Sequence, residues 1–564
     1  MITTKIYSSL VSIKPDFSGS VDLKEYSLCK NEAFSFQLGY KITDESAKST
    51  PFFVKVISDL PISAYHIGCV PVIHADYSDI SPKQPIGLYP DILIPKKVNA
   101  EIFTRVVNKR TRYHEKDEEL MLFAYNDSWQ GLWFQVNEEQ KELKAGKYKV
   151  RIELYGHLTN TLIGESELSL EVLNQNLPEQ STYFTNWVHY DCLSTFYNVE
   201  IFSDRFYEIL SDFLKKAVTN GMNMILLPAF TPPLDTYMGA ERMTAQLVEI
   251  KKDGQKYTFD FSKVKYFIDF CRKIGIENFE HSHLFTQWGA EHAPKIVAEE
   301  SGKIKKIFGW ETDSAGEEYI TFLRAYLTEL RKFLKEEGLE KKILFHISDE
   351  PTEENFEGYK RVYDKISDLL EGYMVGDALS DVKFYESGLV QIPIARTKTA
   401  DGFIGKGDNM WCYYTGMEIH QGMSNRIIQL PRERNRNLGI TMYYHNFKGF
   451  LHWAYNYYYA DMSTGSFNPF MNPCGGFPNA GTSYFVYPAN DGTALQSVRQ
   501  KNFAEGLTDI RALQLLESLS SRKECLELIE KYFGVPGFYK SPNTPQTLME
   551  FRKKVNEKIK FYSK

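Results

Sequence analysis

The sequence lacks any C-x-x-C pair, and its 7 cysteines are scattered at positions 29, 69, 192, 271, 412, 474 and 525. An odd, scattered set fits neither a disulfide frame nor a zinc site built on paired thiols, so free thiols in a reducing compartment are expected. A long basic stretch is missing too, and the net charge of −7 argues against a nucleic-acid partner. No apolar run reaches the length that a membrane span needs. The first residues, Met1-Ile2-Thr3-Thr4-Lys5-Ile6-Tyr7, lack the charged-then-apolar layout of a secretory signal. A cytoplasmic location is the expectation, although a mature form whose signal had been removed would read the same.

Aromatic residues, by contrast, are abundant at 14%, with 36 Tyr, 38 Phe and 7 Trp. Such richness suits a site that stacks the flat faces of sugars, while most of the rings must be core. Hydrophobic residues at 43% and charged residues at 25% are ordinary for a globular protein, and 564 residues leave room for two or three domains.

Two regimes divide the chain. Over residues 1–175 the segments are short, β-rich and separated by turns, which reads as an N-terminal β-sandwich. Ala100 to Val107 and Gly131 to Val136 are predicted strands, and Lys147 to Leu154 alternates with period two, as do Leu168, Leu170 and Val172. Asn174 to Pro178 reads as a linker.

Over residues 178–490 strand and helix alternate. Phe206, Ile209, Leu210, Phe213 and Leu214 recur at helical spacing, then Asn220-Gly221 stops the helix before Met222 to Leu227. Val264, Phe267, Ile268 and Cys271 mark a second helix, and Ile320, Leu323, Leu327, Leu330 and Leu334 a third. This succession predicts a (β/α)8 barrel of the TIM type. A doubly wound open sheet is the alternative, but no glycine-rich nucleotide loop follows any strand, and no cofactor is implied. Residues 491–564 read as a helical extension packed on the barrel, with Leu513, Leu516 and Leu519 on one side.

The most informative stretch is Ile343-Leu344-Phe345-His346-Ile347-Ser348-Asp349-Glu350-Pro351. A run that is apolar on both faces reads as a buried strand, and Pro351 ends it. Two adjacent acids at its mouth are costly to desolvate unless they have work to do. They also suit a helix N-cap before Thr352-Glu353-Glu354. In a barrel the strand ends form the active site, and other predicted strand ends carry polar or aromatic groups. Those groups are Asp235, Gln287, Trp288, Asp377, Trp411, Tyr413, Trp453 and Asn456, the candidates for a sugar pocket.

Adjacency restricts the chemistry. In an ordinary retaining glycosidase the second carboxylate attacks from the opposite ring face, which two neighbours on one strand end cannot easily do. They suit a mechanism in which a 2-acetamido group supplies the nucleophile and forms an oxazoline. Asp349 would then orient the acetamido N–H, and Glu350 would be acid and then base. An ionised Asp349 is expected to raise the pKa of its neighbour.

Asp349-Glu350-Pro351 after an apolar strand resembles the catalytic motif of glycoside hydrolase family 123. Thr231-Pro232-Pro233-Leu234-Asp235-Thr236, Glu241 to Leu247, Gln287-Trp288-Gly289-Ala290 and Gly449-Phe450-Leu451-His452-Trp453 extend the resemblance. It implies an N-terminal β-sandwich, a catalytic barrel and retaining exo-β-N-acetylgalactosaminidase activity on glycan or glycolipid termini. Asp349 is implied as the acetamido-orienting residue and Glu350 as the acid/base. A β-N-acetylhexosaminidase of other sugar preference is the near alternative.

Two rivals come from other classes. His281-Ser282-His283, helped by His189 and Asp191, would suit a metal-dependent hydrolase if both imidazoles shared a face. Trp129 and Trp133 would make the first domain a glycan-binding module rather than a brace for the barrel.

Overall fold

Period-two alternation builds the first part of the chain. In the strand Gly146–Gly156, Val150, Ile152 and Leu154 are buried while Lys149 and Arg151 face solvent. The structure, a computed structural model, describes residues 2–19, 21–43, 48–73, 86–96, 120–420, 422–539 and 544–563. The strand expected at Ala100 to Val107 lies outside these residues.

Among the described residues, ten strands form two five-stranded sheets. Ile2–Ser8, Phe34–Ile42, Gln130–Val136, Ile62–Val72 and Gly87–Pro95 make the first. Glu25–Cys29, Leu162–Leu173, Gly146–Gly156, Ser49–Ile57 and Leu120–Tyr125 make the second. Phe36, Leu38, Leu132 and Phe134 from one sheet share a single apolar cluster with Val54, Val150, Ile152 and Leu170 from the other. Burial of those inner faces is what holds the two sheets together.

Eight short parallel strands then close into a barrel. They are β1 (Tyr183–Asn186), β2 (Met224–Leu227), β3 (Asn278–His281), β4 (Ile343–Phe345), β5 (Met374–Leu379), β6 (Ile392–Arg396), β7 (Trp411–Tyr413) and β8 (Gly449–His452). Strand β8 pairs back onto β1. Helices α1 (Asp204–Thr219), α2 (Ser262–Ile274) and α3 (Glu317–Glu336) carry the apolar stripes read from the sequence, and α4 (Phe356–Asp364) follows β4. Gly275, at φ +108°, ends α2 in the left-handed conformation that a side chain disfavours. Met224, Leu226, Leu344, Ile394, Trp411 and Leu451 fill the barrel interior. Gly449 is required there, because a Cβ would lie 2.2 Å from the Trp411 ring.

Loops after β2 and β3 contribute a four-stranded sheet of Glu249–Asp253, Lys256–Asp260, Ile296–Glu300 and Lys303–Phe308. The chain ends in helices α5 (Val498–Leu519), α6 (Arg522–Phe533) and α7 (Pro545–Tyr562). These helices do more than pack on the barrel. Asp509 of α5 holds Arg436 from the barrel region and Arg552 of α7, and Arg552 reaches Glu32 near the first strands at 2.8 Å. Arg499 pairs with Asp91 at 3.0 Å. Buried ion pairs with every partner present thus tie the helices to both the barrel and the N-terminal sheets.

Candidate active site

Strand β4 delivers two carboxyls to the barrel mouth. Ile343 to Ser348 is buried throughout, and exposure begins at Asp349 and Glu350, both half-buried. The helix-cap role falls elsewhere. Thr352 is the cap, its N–H and hydroxyl both donating to Asn355 Oδ1 at 3.2 and 2.9 Å. Glu350 instead lies at φ +44°, a left-handed conformation for a residue directly before proline. Such strain costs about 1–3 kcal/mol and persists only where the surroundings enforce it. Two contacts do so: the Trp288 N–H donates to the Asp349 carbonyl at 2.7 Å, and the Tyr413 hydroxyl donates to Glu350 Oε1.

A third carboxyl, Asp235, joins them from the loop after β2. Its own φ is +48°. Gln287 pins this turn, accepting the Asp235 N–H at 2.9 Å and donating to the Thr236 carbonyl at 3.0 Å. Tyr457 and Ser463 donate to the Asp235 carbonyl at 3.2 and 2.8 Å. Arg242, paired with both oxygens of Asp191, donates to the Leu234 carbonyl at 2.8 Å. Each of these contacts with the turn grips backbone, and the Asp235 carboxyl lies close enough to Glu350 and Asp461 to feel their charge.

The electrostatics follow from that crowding. Burial, then Glu350 and Asp235, push the Asp349 carboxyl well above the usual carboxylate range, against the opposing charge of His346. Burial lifts Asp235 to about 7, with Arg242 opposing and Glu350 and Asp461 adding to the rise. The sequence places the upward shift on the acid/base, whereas the structure places one on Asp349.

Beneath the mouth lies a buried polar core. His346 is 2.9 Å from Glu280 through Nε2 and 3.4 Å from Asp377 through Nδ1. Burial opposes its charge, yet Asp377 and Glu280 outweigh burial and hold the imidazole up at about 9. The Trp187 indole donates to Glu280 at 2.7 Å, and His283 stacks on His346 at 4.7 Å.

Three of the expected pocket residues are not part of the mouth. Trp411 begins β7, two residues below Tyr413, so its ring points inward at the barrel floor, stacked on Tyr183 at 5.0 Å. Asp377 is fully buried, its carboxylate accepting the Ile347 and Ser348 N–H groups at 3.0 and 3.3 Å and the Tyr359 hydroxyl at 2.5 Å. Asn456 is also fully buried and spends both ends of its amide on the His189 backbone, at 2.9 and 3.0 Å. The remaining candidates come together. Tyr413 meets Glu350, Gln287 braces Asp235, Trp288 projects from the rim at 43% exposure, and half-buried Trp453 packs on Tyr457 at 5.2 Å.

The metal reading fails on geometry. His281 points outward to the Tyr326 hydroxyl of α3 at 2.7 Å, whereas His283 lies inside against His346 and Trp187. The strand ends at His281, so the two imidazoles do not share a face. His189 is bound instead to Arg242 at 3.2 Å and to the Trp453 carbonyl at 2.9 Å. Among the described residues no three His, Cys, Asp or Glu side chains gather into a metal site. The glycan-module reading loses Trp133, which is fully buried within its sheet, and Trp129 packs edge-on against Phe17 at 5.8 Å.

Sequence reasoning did not single out Tyr457, Arg396 or the pairing of Glu280 with His346. Arg396, at the end of β6, pairs with Glu418 and lies close enough to Glu350 and Tyr413 to feel their charge. One signal was available: His346 interrupts an apolar strand three residues before the acids, where a charged group needs a partner.

The family described as Glycoside hydrolase 123, catalytic domain, matches residues 187–516. A solved structure of a family 123 glycoside hydrolase from Clostridium perfringens, described in terms of glycolipid glycan hydrolysis, is similar at a TM-score of 0.70 and 15% identity. The match covers 100% of this chain and 98% of that one, so the likeness in fold takes in the N-terminal sheets as well as the barrel. A family 39 glycoside hydrolase from Bacteroides cellulosilyticus WH2 matches at a TM-score of 0.31 and 10% identity, over 70% of this chain and 75% of that one, too low to support an argument. No curated protein matches the chain.

Proposed function

The chain belongs to glycoside hydrolase family 123, and from that premise we propose that it is a retaining exo-β-N-acetylgalactosaminidase. Its substrates on this reading are terminal β-linked GalNAc residues of glycans or glycolipids, and catalysis is substrate-assisted. The observation that carries the proposal is the adjacency of Asp349 and Glu350 on one strand end, both half-buried at the barrel mouth. Side chains so placed approach a sugar from one side, which leaves the opposite face to the substrate's own amide.

The acetamido carbonyl oxygen attacks the anomeric carbon as the bond to the leaving oxygen breaks, and Glu350 gives its proton to that oxygen. Asp349 acts in its ionised form, which burial and its acidic neighbours disfavour and His346 favours: it accepts the acetamido N–H and stabilises the positive charge of the oxazolinium. Water then attacks the anomeric carbon and reopens the ring, Glu350 takes the proton from that water, and the configuration is retained. Asp235 is held by burial at about 7, which suits it as a hydroxyl-binding acid rather than a nucleophile near neutral pH. Trp288 and Trp453 supply apolar faces for the ring, and Gln287 keeps Asp235 in place. Residues 178–490 form the catalytic unit on this reading, and the N-terminal sheets brace it.

A leaving-group series tests the assignment. Glu350→Gln should abolish turnover of alkyl or glycosyl leaving groups while aryl glycosides with acidic phenols suffer far less. Asp349→Asn should slow both classes. Equal loss across the series in Glu350→Gln contradicts its role as the acid.

A further inference from the structure

The barrel interior holds an ionic cluster that the reaction as drawn does not use. Glu280 enters from β3, His346 from the end of β4 and Asp377 from β5, and all three are buried from solvent. Tyr359 of α4 completes the cluster from outside the barrel. Asp377 is the connecting member. One of its oxygens faces His346 and accepts the Ile347 N–H, and the other accepts the Ser348 N–H and the Tyr359 hydroxyl. These two amides belong to the residues immediately before Asp349.

We propose that His346 is a positioning residue of the reaction. Clasped between Glu280 and Asp377, it acts through Asp377 on the backbone that carries Asp349 and Glu350, and it sets a positive charge beneath Asp349. The inference rests on the reading of those two acids as the reacting pair.

A histidine kept only to fill the core would be neutral and would need no carboxylate on either side. Burying two carboxylates here is costly without a cation between them, and the strand geometry places the imidazole between the two. The groups facing His346 are Glu280 and His283 from the β3 side, the Trp187 indole after β1, Asp377 from β5, and Asp349 on its own segment. Of these only the carboxyls bring negative charge. The cluster of one imidazolium and two carboxylates therefore has a net negative charge that His346 keeps small. Without His346, Asp349 would face Asp377 uncompensated, in addition to Glu350 and Asp235, and would hold its proton to higher pH, just where it must accept an amide N–H.

The test compares His346→Gln and Tyr359→Phe with the unmodified enzyme on an aryl 2-acetamido-2-deoxy-β-galactoside across pH. Glutamine still donates a hydrogen bond but carries no charge. The expected result is a kcat lowered by about tenfold or more with KM within about threefold, and an acid limb of kcat/KM moved to higher pH by roughly one unit. A folded His346→Gln enzyme with the original kcat and the original acid limb overturns the proposal. If that variant does not fold, Tyr359→Phe decides: a severalfold loss of kcat at constant KM supports it, and an unchanged kcat overturns it. Glu350→Gln is run alongside. If it keeps full activity on a glycosyl leaving group, which needs protonation, the acids are not the reacting pair and this inference falls with them, whereas a Glu350→Gln enzyme dead on that substrate beside an unaffected His346→Gln removes the inference alone.

Discussion

Tyr413, at the end of β7, donates its hydroxyl to Glu350, in the segment that follows β4, across the mouth of the barrel. The bond joins strands that are not neighbours in the sheet and holds a glutamate at a positive φ before proline. A hydrogen bond to a carboxyl contributes about 0.5–3 kcal/mol, the upper end applying where the carboxyl is ionised. Tyr413→Phe should therefore lower kcat roughly ten- to hundredfold, with little change in melting temperature. Steady-state kinetics with a thermal melt check this, and wild-type turnover in the variant would show that the bond is incidental.

Asp235 makes stability depend on pH in a defined direction. Its folded pKa of about 7 lies above the ordinary value near 4, so between those limits the folded state keeps a proton that the unfolded chain has lost. The stabilising contribution is fully present below the unfolded pKa and is lost as pH rises through the folded one. Asp235→Asn removes this dependence. Its melting temperature should gain on that of the wild type as pH rises from about 4 to about 7. A gap that stays constant over that range contradicts the burial argument.

The two tryptophans at opposite ends of the barrel should separate cleanly. Trp288→Ala takes an exposed ring from the rim and should raise KM roughly three- to tenfold while leaving stability unchanged. Trp411→Phe opens space in the floor against Tyr183 and should cost about 2 kcal/mol of stability with KM unchanged. Equilibrium denaturation and substrate titration measure both. A raised KM in Trp411→Phe would return that residue to the pocket.

What the sequence discloses and what it hides have physical reasons. The sheets and helices were legible because Lys147 to Leu154 and Phe206 to Leu214 bury one face each, and the pattern follows the face. Strand β1 ends in the polar pair Thr185-Asn186, and β6 carries Pro393 at its second position, so neither shows an unbroken apolar run to read. The acids were legible because a carboxyl pair is out of place at the end of an apolar strand. Trp411 misled because strand and side chain were read correctly while depth along the strand was not. Tyr413, two residues on, has the same inward orientation one layer higher. Asp377 and Asn456 misled for a related reason: a polar residue near a strand end satisfies buried backbone as readily as it meets a ligand.

On the proposed reading the sugar's own acetamido group performs the attack that a second carboxylate performs in an ordinary retaining glycosidase. A matched pair of aryl β-galactosides, identical except for a 2-acetamido or a 2-hydroxyl group, measures this directly. The expected result is rapid retaining hydrolysis of the first and turnover of the second lower by several orders of magnitude. Comparable kcat/KM on both sugars would contradict it.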